Sequence, residues 1–127
     1  MKKEMMEQDL TQKIIGAAIE VHRHWGPGLY EQTYERSLCR EFELREIPFE
    51  CQKPIPLVYK GVAVGEDFRL DILVRDKVVI ELKAVTELAP IHEAQLLTYM
   101  KIAECRVGLL INFDVPVLKK GIRRMVL

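Results

Sequence analysis

The chain has 127 residues, of which 49% are hydrophobic and 30% charged, and its formal net charge is zero. This length suits one domain with a core, so we predict a single domain over residues 1–127, with residues 1–8 a flexible N-terminus. The zero net charge argues against a protein held on nucleic acid by bulk positive charge. No apolar run approaches the roughly 18 residues of a membrane span, and no signal-peptide core is present, so the expected location is cytoplasmic.

The three cysteines carry little information in their spacing. Cys39, Cys51 and Cys105 are odd in number and widely separated. This pattern argues against a disulfide framework and against a zinc site. We therefore predict small thiols that are buried or half-buried.

A first helix is predicted from Leu10 to about His24, because apolar residues recur there at helical spacing. Asp9 and Gln12 are predicted to form a capping box at its start. The sequence Gly26-Pro27-Gly28 ends the helix, since glycine accepts positive φ and proline cannot continue the hydrogen-bond ladder.

A second helix is predicted from near Leu29 to about Arg45. At about 100° per residue, Glu31 projects into its apolar stripe and Glu35 lies at the edge of that stripe. Glu31 is therefore predicted to face inward, as a candidate carboxylate for a site. The apolar stripe is formed by Tyr34, Leu38 and Phe42.

The stretch from Phe68 to Lys83 predicts an antiparallel hairpin, because two apolar runs of period two flank a polar break. A three-residue loop, 75–77, places Val74 opposite Val78 and brings the two apolar rows to one face. The residues predicted to share that face are Phe68, Leu70, Ile72 and Val74 in the first strand, with Val78, Ile80 and Leu82 in the second.

The same register places Asp71 opposite Glu81 on the other face, with Lys83 two residues further along. Directly opposed residues have Cβ atoms about 4.5–5.5 Å apart, and like charges there are destabilising. Two such carboxylates need a shared proton or a cation. Mg²⁺ is commonly held by one or two carboxylates together with waters and substrate phosphates. The alternative is an exposed face on which Arg69, Arg75 and Lys83 neutralise the acids.

The remaining segments complete a mixed sheet. Residues 49–57 contain two prolines and are predicted to be an edge strand or a lead-in. Residues 55–59 and 62–64 flank a tight turn, and 65–67 lead into the hairpin through a bulge.

After the hairpin, a helix is predicted from Pro90 to about Glu104, with Gln95 and Tyr99 stacked on one flank. The apolar run 107–113 predicts a strand covered on both faces, reached by a right-handed crossover to a parallel neighbour. Residues 122–127 are predicted to form a short last strand.

Taken together, these residues resemble a known family. Asp71 followed after ten residues by Glu81-Leu82-Lys83 resembles the motif of the PD-(D/E)XK nuclease superfamily. The helix with Gln95 and Tyr99 resembles the Gln-x-x-x-Tyr element of its recombination-type exonuclease branch. Residues 28–34, Gly-Leu-Tyr-Glu-Gln-Thr-Tyr, resemble the signature of the GxxExxY proteins in that superfamily. The similarity covers roughly residues 10 to 127. Leu70 departs from the motif, which often has proline before the aspartate.

The resemblance implies a restriction-endonuclease-like fold, an α/β (α+β) core in which a central mixed sheet is flanked by helices, two of them N-terminal. It implies hydrolysis of phosphodiester bonds in nucleic acid, expected to be DNA, with Mg²⁺ or Mn²⁺ as cofactor. No membrane partner is expected, and a homodimer or another protein partner is a further expectation. The residues implied are Asp71, Glu81 and Glu31 as metal ligands, the Leu82 carbonyl as a further ligand, Lys83 to position the attacking water, and Gln95 and Tyr99 to support the site or contact phosphate.

Three functions remain open at this stage. The first is a metal-dependent nuclease. The second is a non-catalytic module on the same fold that binds nucleic acid or protein, which the zero net charge favours mildly. The third is a phosphatase-like or nucleotide-handling enzyme that uses the same acids. Retention of Asp71, Glu81 and Lys83 together favours an enzyme, because a scaffold has no need of opposed carboxylates.

Overall fold

Helices and strands follow one another in the order that the sequence predicts. The computed structural model describes residues 6–65 and 68–127. The elements are α1 (Gln8–Trp25), α2 (Glu31–Leu44), β1 (Phe49–Pro54), β2 (Leu57–Tyr59), β3 (Val62–Gly65), β4 (Arg69–Val74), β5 (Val78–Lys83), α3 (Pro90–Ile102), β6 (Val107–Asn112) and β7 (Ile122–Val126). A 3-10 turn, Leu118–Gly121, precedes β7.

Five strands form one mixed sheet in the order β1-β4-β5-β6-β7, between two layers of helix. The first two helices cover one face of the sheet, and α3 covers the other through Leu96 and Met100. The predicted fold class, a central mixed sheet flanked by helices with two of them N-terminal, is confirmed. Across residues 6–65 and 68–127, no helix is long and apolar enough to cross a membrane.

The crossover through α3 produces the parallel pair at the centre of the sheet. β5 and β6 run parallel, with Val78 beside Val107 and Lys83 beside Asn112. All six residues of β6 are buried, as expected for a strand covered on both faces. The predicted parallel neighbour is therefore confirmed, and the last strand pairs antiparallel to β6 at the sheet edge.

The hairpin of β4 and β5 has the predicted register. Val74 pairs with Val78 and Ile72 with Ile80 across a three-residue turn. Arg75 and Asp76 adopt left-handed backbone angles, with φ of 53° and 56°. Such angles match the twist of two-stranded ribbons and hold the turn short. An odd-numbered loop therefore places these apolar side chains on one face, towards α1 and α2.

The predicted single apolar row of β4 is wrong at its first half. Ile72 and Val74 pack towards α1 and α2, but Phe68 and Leu70 belong to the cluster under α3. The apolar row of β4 changes from one face of the sheet to the other at Asp71. The residue of β1 opposite Asp71 is Gln52, which has a left-handed backbone with φ of 50°. A period of two holds only where the strand stays regular, and here the strand pair is distorted.

The predicted capping box at the start of α1 is also wrong. The helix begins at Gln8, its preceding residue Glu7 is left-handed with φ of 50°, and no side chain caps it. Asp9 instead lies in the first turn, where a negative charge interacts favourably with the helix dipole. Met6 packs against the core, and its carbonyl accepts a hydrogen bond from the Arg124 guanidinium. Residues 6–8 of the predicted flexible N-terminus thus have defined contacts.

β1 lies at the edge of the main sheet, as its prolines predict, while β2 and β3 form a separate hairpin. Lys60 and Gly61 make its tight turn, with φ of 48° and 84°. The bulge predicted at residues 65–67 falls partly on Glu66 and Asp67, which lie outside the described residues.

Gly121→Ala should destabilise the protein by about 1–3 kcal/mol, the usual cost of overpacking. A Cβ at Gly121 would lie 2.3 Å from the backbone oxygen of Asn112, and backbone cannot move aside as a flexible side chain can. Gly16→Ala is the matched control, because its Cβ would meet only Arg45 Nη1 at 3.4 Å and alanine favours a helix. Urea denaturation of both variants checks this, and equal midpoints for the two would contradict it.

Candidate active site

A cleft of about 360 Å³ opens between α2 and the end of β4 that carries Asp71. Acidic and amide side chains dominate its walls, and Leu82 of β5 closes one side. Its lining residues are Glu31, Gln32, Glu35, Gln52, Asp71 and Leu82.

Asp71 and Glu81 lie together at the point where the strand pairing of the hairpin stops. The paired register runs only as far as Ile72 and Ile80. Beyond it, Asp71 Oδ2 accepts a hydrogen bond from the Leu82 amide at 2.9 Å, and the Asp71 amide donates to Glu81 Oε1 at 3.4 Å. The two carboxylates thus take the place of backbone partners, and the predicted neighbours are brought together.

Burial makes Glu81 the most perturbed acid of the site. Its side chain is 8% exposed, and desolvation followed by the nearby Asp71 charge raises its pKa to about 8. The Lys83 charge acts in the opposite direction and lowers the pKa of Glu81, but less strongly. Burial and the neighbouring Asp71 charge therefore favour the protonated form of Glu81.

Two glutamates on α2 add to the acids of the cleft, and the prediction of which one is more buried is wrong. Glu31, predicted to face into the apolar stripe, is exposed at the first residue of α2 and lines the cleft. Glu35 is the half-buried one. Burial is the main cause that raises its pKa, and the charges of Asp71 and Glu31 add to the rise. A hydrogen bond of 2.7 Å from Gln52 Nε2 opposes the rise and holds Glu35 in place.

The alternative in which arginines and Lys83 neutralise an exposed face finds no support in the contacts. Among the described residues, no Lys, Arg or His nitrogen lies within 4.0 Å of a carboxylate oxygen of Glu31, Glu35, Asp71 or Glu81. Arg69 donates instead to the Gln52 carbonyl at 3.3 Å. Within the described residues, the three acids of the cleft and the adjacent Glu81 therefore have no direct ion pair.

The other predicted site residues lie on the α3 side of Asp71. Tyr99 packs its ring 4.7 Å from that of Phe68, and burial followed by the charges of Glu81 and Asp71 raises its pKa. Lys83 is half-buried at the end of β5. Gln95 is half-buried one turn before Tyr99, and its side chain makes no hydrogen bond within residues 6–65 and 68–127.

Comparison with known proteins identifies the superfamily of this chain. The family model of the PD-(D/E)XK nuclease superfamily matches residues 8–125. The chain belongs to this superfamily. No curated protein and no solved structure matches it. The superfamily generally uses divalent metals, which agrees in kind with an acidic cleft.

In this member of the PD-(D/E)XK superfamily, a buried tyrosine fixes the approach to α2. The Tyr34 hydroxyl donates to the Gly26 carbonyl at 2.6 Å and accepts from the Leu29 amide at 3.1 Å. Its ring stacks on Phe113 with centroids 4.5 Å apart. The loop between α1 and α2 is thereby tied to the core, and Glu31 is presented at the cleft.

Asn112 fixes the segment that follows Lys83, a role that no sequence pattern indicated. Its Oδ1 accepts from the amides of Val85 at 3.0 Å and Asp114 at 3.2 Å, and its Nδ2 donates to the Val85 carbonyl at 2.9 Å. The residue is 1% exposed. A single buried amide thus sets the path of the chain beyond the superfamily motif.

The donor set suits a hard divalent cation such as Mg²⁺ or Mn²⁺, since it consists of carboxylate oxygens that have no direct ion pair in the described part of the chain. Within the described residues, no group of three or more His, Cys, Asp or Glu side chains is arranged to hold an ion. Asp71 and Glu81 are the two acids that a hydrogen bond links, from the Asp71 amide to Glu81 Oε1, and the next residue, Leu82, donates its amide to Asp71 Oδ2. Two carboxylates completed by waters and substrate phosphate are a usual Mg²⁺ environment.

The apo protein should lose stability as the pH rises from about 5 to 8. The pKa of Glu81 is raised in the folded state from 4.5 to about 8, so folding favours the protonated form. That contribution is complete below about pH 4.5 and is lost as the pH passes through 8. Melting temperatures in a metal chelator should therefore fall more steeply for wild type than for Glu81→Gln. The exposed Glu87→Gln should follow wild type, and parallel curves for all three would contradict the burial argument.

Proposed function

We propose that this protein is a divalent-metal-dependent nuclease that hydrolyses phosphodiester bonds in nucleic acid. The observation that carries the proposal is the contact between Asp71 and Glu81 beside a cleft that Glu31 and Glu35 also line. Within the described residues none of these four acids has a direct ion pair, and Lys83 follows Glu81 by two residues on β5. The superfamily match is the second support.

The proposed ligands for Mg²⁺ or Mn²⁺ are Asp71 and Glu81, with the Leu82 carbonyl as a further oxygen. When bound, the ion would supply positive charge to a phosphate oxygen and lower the pKa of a bound water. Glu31 is the third candidate acid. Its exposure at the rim of the cleft suits contact with an ion or with bound water more than a fixed position in the core.

The chain's own groups would do the rest of the work. Lys83 would orient the attacking water and offset negative charge that develops on the phosphate. Tyr99, whose hydroxyl is influenced by the charges of both Asp71 and Glu81, would donate a hydrogen bond to a phosphate oxygen or to that water. Gln95 would support the same flank of α3.

We further infer that the chain is a GxxExxY protein and that residues 1–127 work as one domain. The signature residues support this inference. The glycine end of the signature stands in an exposed turn where Gly28 has φ of 104°, Glu31 reaches the cleft, and Tyr34 holds the loop to the core. DNA is the proposed substrate and the cytoplasm the proposed location.

A cleavage assay tests the proposal. Purified wild type and Glu81→Gln would be incubated with labelled single-stranded DNA, duplex DNA and single-stranded RNA in Mg²⁺, Mn²⁺ or EDTA. We expect metal-dependent cleavage by wild type and a loss of about a hundredfold or more in the variant, as for the removal of one group from a preorganised site.

Two other outcomes would overturn it. Binding of nucleic acid without cleavage in either metal would favour the non-catalytic module. Hydrolysis of p-nitrophenyl phosphate without cleavage of any strand would favour the phosphatase-like enzyme.

A further inference from the structure

The packing of α2 against β1 follows a regular series of side-chain pairs. At one end, the rings of Phe42 and Phe49 lie 5.6 Å apart. At the other end, Gln52 Nε2 donates to Glu35 Oε1 at 2.7 Å. The strand thus runs antiparallel to the helix axis, and the two contacts lie about two helical turns apart along the helix.

Cys39 and Cys51 occupy the position between these two contacts. Cys39 lies four residues after Glu35 and three before Phe42, so the three side chains share one helix face. Cys51 is two residues beyond Phe49, so it points to the same face of β1 as that ring. The fold therefore sets the two thiols opposite one another, although 12 positions separate them in the sequence.

The electrostatics of the thiols agree with this placement. Burial raises the pKa of the Cys39 thiol to about 12, and the neighbouring Cys51 thiol adds to the rise. Cys51 is exposed, so the prediction of a buried or half-buried thiol is wrong for this residue, whereas Cys39 is half-buried. One thiol of the pair is thus accessible to reagents in solution, and the other is partly shielded from them.

We propose that Cys39 and Cys51 form a reversible disulfide that clamps α2 to β1 beside the carboxylate cleft. The oxidant is a low-molecular-weight disulfide, for which oxidised glutathione is the probe. The Cys51 thiolate attacks one glutathione sulfur and releases one reduced glutathione. The Cys39 thiol then loses its proton, attacks the Cys51 sulfur and releases the second, so the protein loses two hydrogens and glutathione gains them.

The clamp would act on the cleft through its neighbours on both elements. Gln52 follows Cys51 directly, and Glu35 lies one turn before Cys39, and both line the cleft. The left-handed backbone of Gln52 brings its side chain to α2, although strand alternation would point it to the other face. Oxidation would therefore limit the separation of α2 from β1 where the cleft opens.

The full chain would be equilibrated with oxidised glutathione, blocked with iodoacetamide without reduction and digested with trypsin. We expect the peptide that contains Cys39 and ends at Arg40 to be joined to the peptide that contains Cys51. The oxidised protein should keep one free thiol, Cys105, and melt several degrees higher, because the bridge closes a loop of about 13 residues. Dithiothreitol should reverse both changes.

Serine variants give the matched comparison. Cys105→Ser should form the same link as wild type, because Cys105 is buried at the end of α3, where its Sγ lies 3.6 Å from the Asp76 carbonyl. Cys39→Ser and Cys51→Ser should not form it. A stable glutathione adduct at Cys51 in wild type with no joined peptide would overturn the proposal, as would joined peptides that include Cys105. These readouts need no catalytic activity and so stand apart from the test of nuclease function.

Discussion

Replacement of Lys83 by alanine should reduce cleavage of a labelled strand by about a hundredfold or more, as expected when one preorganised charge is removed from a site of phosphoryl chemistry. Lys83 follows Glu81 by two residues on β5, and its charge already acts on that carboxylate in the folded protein. No salt bridge engages it among the described residues, so its ammonium group is free to serve a substrate phosphate.

Metal affinity should survive the Lys83→Ala change, because an ammonium group is not a ligand. The comparison belongs near pH 8.5, since loss of the Lys83 charge removes an effect that lowers the pKa of Glu81 and would leave more of it protonated at neutral pH. Lys101→Ala is the matched control, an exposed lysine in the last turn of α3. Equal rates for wild type and Lys83→Ala would indicate a contaminating nuclease or a different catalytic group.

The β4–β5 hairpin shows which structural features local sequence rules can predict and which they cannot. Its register followed from the parity of one loop, and the structure confirms Val74 opposite Val78. The same rule failed for Leu70, because the strand loses its regular alternation at Asp71. Nothing in the sequence of β4 marks that change. The change of face occurs where Gln52 of β1, with its left-handed backbone, lies opposite Asp71. Only the tertiary structure brings these two residues together.

The helix pattern predicted the core of α2 correctly but not its acids. Tyr34, Leu38 and Phe42 are fully buried. Glu31 projects into the same stripe on a helical wheel, yet it lies at the first residue of the helix, at the cleft rather than under the sheet. A wheel assumes that the whole helix is packed, and this one is packed from Tyr34 onward. Glu35, at the edge of the stripe, is the acid that burial perturbs.

The contacts of the Gln52 and Asn112 side-chain amides were not predicted, for a different reason. Gln52 contacts Glu35 across 17 positions, and Asn112 contacts Val85 across 27. Single side chains with partners so distant leave no periodic signal in the sequence. Asn112 in addition lies near the end of an apolar run, so the sequence pattern indicates only that it belongs to a buried strand. These residues position the candidate site, and the sequence motif alone does not include them.

Millimolar Mn²⁺ or Mg²⁺ should raise the melting temperature of the wild-type protein by roughly 10 °C at concentrations near 100 times the dissociation constant. Binding to the folded state alone contributes about 2.7 kcal/mol at that ratio. The physical reason is that the ion would replace the proton that Glu81 otherwise needs beside Asp71. The response should therefore grow from pH 6 to pH 8, as the carboxyl proton becomes easier to displace.

Asp71→Asn should abolish most of this response while apo stability stays the same or increases. The change removes a negative charge that raises the pKa values of Glu81 and Glu35, and the amide oxygen can still accept the hydrogen bond from the Leu82 amide. Asp76→Asn is the matched control at the other end of the hairpin, where asparagine tolerates the left-handed backbone. A wild-type melting temperature that does not change with either ion would contradict the metal assignment, because these acids, which have no direct ion pair among the described residues, would then be stable together without a cation.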